Sequence, residues 1–189
     1  MCKYLIAIFF SFLVNGIYSQ QYHGYVVTVN NDTIKTKIEF TRGAFDVNRL
    51  RFLQDKVVTY NDNQKRIYLP YELVSFQIEL DYQLITFDNI DNTTFGQRLY
   101  SKNVKLNKLV YVTGGTIFTY YMIKRPNSDV VNRFQALGLR NLVSKKTMLK
   151  EMWDCKISYD KIKNNEMRIK DEQALIDFVI DFEKNCYSD

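Results

Sequence analysis

The sequence predicts an α+β fold: an N-terminal antiparallel β sandwich or partly closed barrel over residues 20–142, then a small C-terminal helical region over 143–189. Two patterns carry this reading. Short runs rich in β-branched and aromatic residues recur up to about residue 142, broken by turn residues roughly every 8–12 positions. Beyond residue 143 the apolar spacing changes from every second position to every third and fourth, the period of a helix. Composition agrees with a folded globular chain. Of 189 residues, 46% are hydrophobic, 25% charged and 15% aromatic, which opposes intrinsic disorder. Seven glycines and two prolines exclude a collagen-like or linker-dominated chain. The length suits one substantial domain, or a domain with a small appendix. Such a chain buries roughly 70% of its unfolded surface and needs no metal to hold a core.

Residues 1–19 read as a signal peptide. Lys3 precedes an apolar run from Tyr4 to Val14, and Asn15, Gly16 and the small Ser19 follow. The run is shorter than the ~20 residues of a comfortable membrane span. An uncleaved N-terminal anchor is the alternative. Cleavage is expected after Ser19, although Ile17 is not the small residue usual two positions earlier. Cys2 precedes the apolar run, so it is not a lipobox cysteine. No later segment is long and apolar enough to span a bilayer. The formal net charge of +5 is mild, and the basic residues are interleaved with acids. A nucleic-acid binder is usually more basic and more clustered.

The first two strands are expected at 24–30 (GYVVTVN) and 33–40 (TIKTKIEF). In the second, Ile34, Thr36, Ile38 and Phe40 take one face, and Thr33, Lys35, Lys37 and Glu39 the other, as in a strand buried on one side. Asn31 and Asp32 between them suit a two-residue hairpin turn. Further strands are expected at 49–53, 56–60, 73–79, 83–87, 106–113 and 116–123. The breaks fall at Asp46-Val47-Asn48, Asn61-Asp62-Asn63, Leu80-Asp81 and Gly114-Gly115. Pro126 makes 125–133 a loop, because a proline cannot donate to a central ladder.

Helical spacing starts with Met148, Leu149, Met152 and Trp153, behind Ser144 as N-cap. One further short turn is expected over 157–164. The final helix spans 171–185, with a stripe of Ala174, Leu175, Phe178, Val179 and Phe182 widened by Ile176 and Ile180. Asp171 and Glu172 suit the positive end of its dipole, and Lys184 the negative end. Removing the leader removes Cys2 and leaves two of the three cysteines, Cys155 and Cys186, which an oxidising compartment favours pairing. Two separate buried thiols are the alternative. Pairing requires residues 156–170 to travel back along the first helix, so that both cysteines come to the same side.

Several stretches resemble a recurrent pattern in an uncharacterised family of secreted or envelope Bacteroidota proteins. Gly24-Tyr25-Val26-Val27-Thr28, followed by Asp32-Thr33-Ile34-Lys35-Thr36-Lys37-Ile38, is similar to its opening hairpin, with Thr36 where the family has glycine. The stretch 69–76 (LPYELVSF) resembles its segment of an acidic residue, two hydrophobic positions and phenylalanine. The stretch 110–121 (VYVTGGTIFTYY) resembles its glycine hairpin, and 149–155 (LKEMWDC) its Asp-Cys segment. The resemblance implies an exported envelope protein and supplies no catalytic residue.

The residues themselves name no chemistry. His23 is the single histidine, and no Cys/His cluster has metal-ligand spacing. There is no G-x-S-x-G elbow. Gly114-Gly115 reads as a hairpin turn and not a phosphate cradle, since no lysine-headed helix follows. Glu79, Asp81, Asp88 and Asp91 lie in or beside loops, where a pair of carboxylates could do acid–base work. The stretch 88–92 lacks the closing glutamate of a calcium loop. Asn31-Asp32-Thr33 and Asn92-Thr93-Thr94 match the glycosylation sequon, which matters only in a eukaryotic secretory host. Tyr111, Phe118, Tyr120 and Tyr121 are either a sugar-stacking platform or ordinary cross-strand packing. No catalytic, cofactor or metal residue is assigned. The expectation is an exported, non-enzymatic envelope or secreted protein acting by binding, or as an accessory to a surface system, with another envelope protein as a possible partner. The alternative is a small exported hydrolase built on loop carboxylates.

Overall fold

The computed structural model describes residues 19–41, 46–80, 82–126, 128, 131–136 and 142–187, with the side chains of 19, 41 and 46–50 excepted. The signal-peptide reading and Asp81 lie outside the described residues. The described residues are mostly antiparallel sheet, in ten strands, with helices towards the C-terminus. The sandwich or barrel expected from strand spacing is thus not drawn by the strand order. The chain divides into two compact units, one ending at Phe95 and the other beginning at Gly96.

The first unit contains β1 (Ser19–Thr28), β2 (Thr33–Thr41), helix α1 (Asp46–Asp55), β3 (Val57–Asn61), β4 (Gln64–Tyr68), a 3₁₀ turn (Pro70–Glu72), β5 (Leu73–Leu80) and β6 (Gln83–Asn89). Its strands lie in the order β6-β5-β1-β2-β3-β4. The expected β1–β2 hairpin forms, with Val26 opposite Ile34 and Tyr22 opposite Ile38. Ile38 and Phe40 are buried while Lys35 and Lys37 are exposed, as the alternation requires. The turn differs from the expected two-residue form. Thr28 N–H donates to Asp32 O, Asn31 N–H donates to Thr28 O, and Asn31 alone takes the left-handed conformation, at φ 65°. This is a three-residue loop over Val29, Asn30 and Asn31. Asp62 and Asn63 make the β3–β4 turn, both at positive φ, where the sequence placed a break.

Residues 49–53 are not a strand. They lie within α1, where Leu53 and Gln54 are both buried and Phe52 is 55% exposed. Two adjacent buried residues break the alternation a strand needs, and Leu50 and Leu53 stand at helical spacing. Strand β4 has no apolar alternation to read. Four of its five residues are exposed, and its ladder with β3 defines it. The core of this unit gathers Val26, Ile38, Phe40, Leu53, Val57, Tyr68, Leu73, Phe76, Ile78, Phe87 and Phe95. Phe76 stacks on Phe87 at 4.7 Å and meets Phe95 edge-on at 5.0 Å. Asn89 pins one end of the sheet: its amide donates to the carbonyls of Pro70 and Leu73 and to Asn92 Oδ1, and its Oδ1 accepts from Asn92 N–H.

The second unit contains β7 (Phe95–Ser101, from its second residue), β8 (Lys105–Thr113), β9 (Thr116–Lys124), β10 (Val131–Gln135), α2 (Lys145–Glu151), α3 (Lys156–Lys163) and α4 (Glu172–Cys186). Its strands run β10-β9-β8-β7. Gly114 and Gly115, at φ 57° and 78°, form the two-residue turn joining Thr113 to Thr116, as their sequence predicts. Strand β10 occupies part of the stretch expected to be loop. Pro126 does sit in the connection, and the strand begins only at Val131. Ser144 caps α2 by accepting from Thr147 N–H at 3.0 Å, and Asp171 caps α4 by accepting from Ala174 N–H at 2.8 Å. The stripe of α4 is buried at Leu175, Phe178, Val179 and Phe182. It packs with Val104, Leu106, Tyr121, Ile123 and Phe134 of the strand region and with Met148, Met152 and Ile162 of the other helices.

At the edge of this core, Tyr121 O–H donates to Glu172 Oε2 at 2.9 Å, and Lys108 Nζ lies 2.6 Å from the same oxygen. Burial, then the negative charge and hydrogen bond of Glu172, push the Tyr121 phenol well above its ordinary range. The folded state therefore keeps a proton that the unfolded chain releases near pH 10. Stability contributed here is complete below about pH 10 and is lost as pH rises above it. Urea melts between pH 9 and 11 should show this decline. Tyr121→Phe should flatten it without removing it, because burial also raises Tyr100 and Tyr187 in the same unit. An equally steep decline in the variant would refute the assignment.

Candidate functional site

In the first unit, the face of the strands turned away from the core carries an open basin of about 660 Å³. Strand alternation builds it. His23 and Tyr25 of β1, Lys35 and Lys37 of β2, Tyr60 of β3, and Gln77 and Glu79 of β5 all project to this side. Register sets the rows: Lys37 lies opposite both His23 and Tyr60, and Tyr25 opposite both Lys35 and Gln77. Leu84 of β6, 67% exposed, closes one edge.

Several of these groups are already engaged. Tyr60 O–H donates to Glu39 Oε2 at 2.5 Å, a contact that raises the phenol pKa. Lys65 lies 3.8 Å from the same carboxylate oxygen and 5.8 Å from the centre of the Tyr60 ring. Gln77 Nε2 donates to Thr86 Oγ1 at 2.9 Å, and Thr36 Oγ1 donates to Tyr60 O at 3.2 Å. Lys35 and Lys37 are different: both are exposed and neither forms an ion pair among the described residues. The basin thus offers two available ammonium groups beside an imidazole and a half-buried tyrosine ring. Such a surface can hold an anionic or polar group by charge and hydrogen bonding.

The residues weighed from sequence fall in different places. His23 lies in the basin, exposed on β1. Of the loop acids, Glu79 and Asp88 stand apart. Glu79 pairs in register with Leu84 and Asp88 with Ser75, four residues along β5, or roughly 13 Å at ~3.3 Å per residue. Asp88 is buried, and Asp91 is occupied by Thr93, whose N–H and hydroxyl it accepts at 3.0 and 2.7 Å. No group of three or more His, Cys, Asp or Glu able to hold a metal is gathered among the described residues.

The aromatic quartet is split by register. Tyr121 enters the helix-side core, while Tyr111, Phe118 and Tyr120 are half-buried on the opposite face. There Tyr111 and Tyr120 meet edge-on at 5.4 Å, and the Arg133 guanidinium covers them at 5.1 and 4.5 Å. The rings pack against each other and against an arginine.

Cys155 and Cys186 are brought to disulfide distance, with Cα atoms 6.0 Å apart. Cys155 lies beyond the end of the first helix. Helix α2 stops at Glu151, and Cys155 is the N-cap of α3. Lys161 Nζ meets Asp181 Oδ1 at 2.5 Å, so α3 and α4 run antiparallel, and the start of one meets the end of the other. Sequence reasoning missed Lys35 and Lys37 as site residues. Alternation showed them facing solvent, but Tyr60, which stands opposite Lys37, and Gln77, which lines the same basin across Tyr25, come from distant strands. No helix among the described residues is long and apolar enough to cross a membrane. The chain matches no protein-family model, no curated protein and no solved structure.

Proposed function

We propose that the chain is an exported, non-enzymatic envelope or secreted protein that acts by binding, as a component or accessory of a surface system, and that the basin on the first sheet is its contact surface. The observation that carries the binding part is the pairing state of the basin: Lys35 and Lys37 stand exposed and without an ion-pair partner among the described residues, beside His23 and Tyr25. The separation of Glu79 from Asp88 supports binding over the hydrolase reading, since neither carboxylate has the other within reach of one substrate atom. Export rests on the leader pattern of residues 1–19, and the envelope on the resemblance of the β1–β2 hairpin to secreted Bacteroidota proteins.

Two measurements test this. Mass spectrometry of the native protein should find a chain beginning near Gln20; an intact Met1 in a cytoplasmic fraction would reject export. Affinity capture from the native envelope should recover a partner that is lost with Lys35→Glu/Lys37→Glu. Both side chains are exposed, so the variant should fold with unchanged circular dichroism. Equal recovery by the folded variant would remove the basin from the function.

A further inference from the structure

The second unit carries a smaller and more enclosed cavity, of about 240 Å³, that the reading above does not use. Its apolar part is made by Val143, Met148, Ile162 and Ile169, each no more than 4% exposed, with the half-buried Met167 beside them. Lys145 and Arg168 stand at its polar part. No acid is among its described lining residues.

We propose that this cavity binds a small amphiphilic organic anion, with its apolar body among Met148, Ile162, Met167 and Ile169 and its carboxylate on Arg168 and Lys145. Charge complementarity fixes the head group. Arg168 is exposed and forms no ion pair among the described residues. Lys145 Nζ donates to Lys163 O at 2.7 Å and Asn165 Oδ1 at 3.0 Å, both neutral acceptors, so its positive charge is held in place without being cancelled. Two cations beside an apolar hollow with no acid among its described lining residues select a ligand that is negative at one end only. Size fixes the body. The volume lies below the roughly 300–1,000 Å³ of sites for drug-sized ligands, so a short chain or a single ring fits and a long lipid does not. Two methionines in the wall let one cavity accept bodies of somewhat different shape, because the unbranched thioether side chain repacks easily.

The test uses the mature chain with isotope-labelled methionine methyl groups and octanoate as the probe, kept below its micellar concentration. Met148 and Met167 should shift saturably, and Met122, which does not line the cavity, should not. Octan-1-ol, with the same tail and no charge, should bind about tenfold more weakly. Arg168→Glu should weaken octanoate by about tenfold or more, and Arg168→Lys should restore most of the binding. Shifts spread over all the methionines, equal affinity for octanoate and octan-1-ol, or unaltered binding by a folded Arg168→Glu protein would each overturn the proposal. So would the absence of a saturable shift. The proposal is independent of the basin, since Lys35→Glu/Lys37→Glu should leave octanoate binding unchanged.

Discussion

Gly24→Ala is expected to destabilise the first unit by roughly 2–4 kcal/mol, a large effect for one methyl group. A Cβ built on Gly24 would lie 2.1 Å from the backbone carbonyl oxygen of Gln77 and 3.0 Å from Ile38 Cδ1. The first contact is with main chain, which a rotamer change cannot relieve. Strands β1 and β5 would have to separate where Gly24 pairs with Ile78, close to the irregularity at Val27 and Thr28. Both neighbouring ladders run through β1, so the disturbance reaches the core at Ile38 and Phe76. Hydrogen exchange should show the β1 and β5 amides opening more readily, with a matching fall in the urea midpoint. A loss below about 0.5 kcal/mol would show that the sheet accommodates the methyl group and that the close approach is not required.

Cys155→Ser/Cys186→Ser should cost the second unit roughly 3–4 kcal/mol, the chain-entropy value for a cross-link closing a loop of about 30 residues. The bond would hold the first turn of α3 against the last of α4, a place where other restraints converge. Arg125 donates to the Asp154 carboxylate and to the Glu151 carbonyl, and its guanidinium lies 5.6 Å from the Phe182 ring. Asn132 Nδ2 donates to Glu151 Oε2 at 2.7 Å. These contacts link the β9–β10 region to the segment entering α3, so release of the cysteines should loosen this corner before the sheet. Trp153, exposed and two residues from Cys155, is the reporter. Wild type in reductant should unfold at the same urea concentration as the double variant, and both below oxidised wild type. Coincident midpoints with and without reductant, or free thiols at both positions in a non-reducing peptide map, would contradict the pairing.

The sequence by itself determined the local features. Alternation over 33–40 fixed which residues of β2 face the core, because successive strand side chains take opposite sides. Gly114 and Gly115 fixed a turn, because both central positions need positive φ. Ser144 and the stripe from Leu175 to Phe182 fixed the start of α2 and the buried face of α4, because capping and helical periodicity act within a few residues. The tertiary structure decided what depends on partners distant in sequence. It made 46–55 a helix, where a short apolar run was compatible with either state. It made strands of 64–68 and 131–135, whose own residues carry little apolar alternation and whose neighbours supply the ladder. It separated Tyr121 from Tyr111, Phe118 and Tyr120, since register assigns each its face. It put Tyr60 beside Lys37 and Gln77 in the same basin, and it placed Cys155 at the start of a helix that runs antiparallel to the one ending in Cys186. Hydrogen-bond ladders and side-chain packing join residues far apart in the chain, and periodicity within one segment contains no record of which segment will lie beside it.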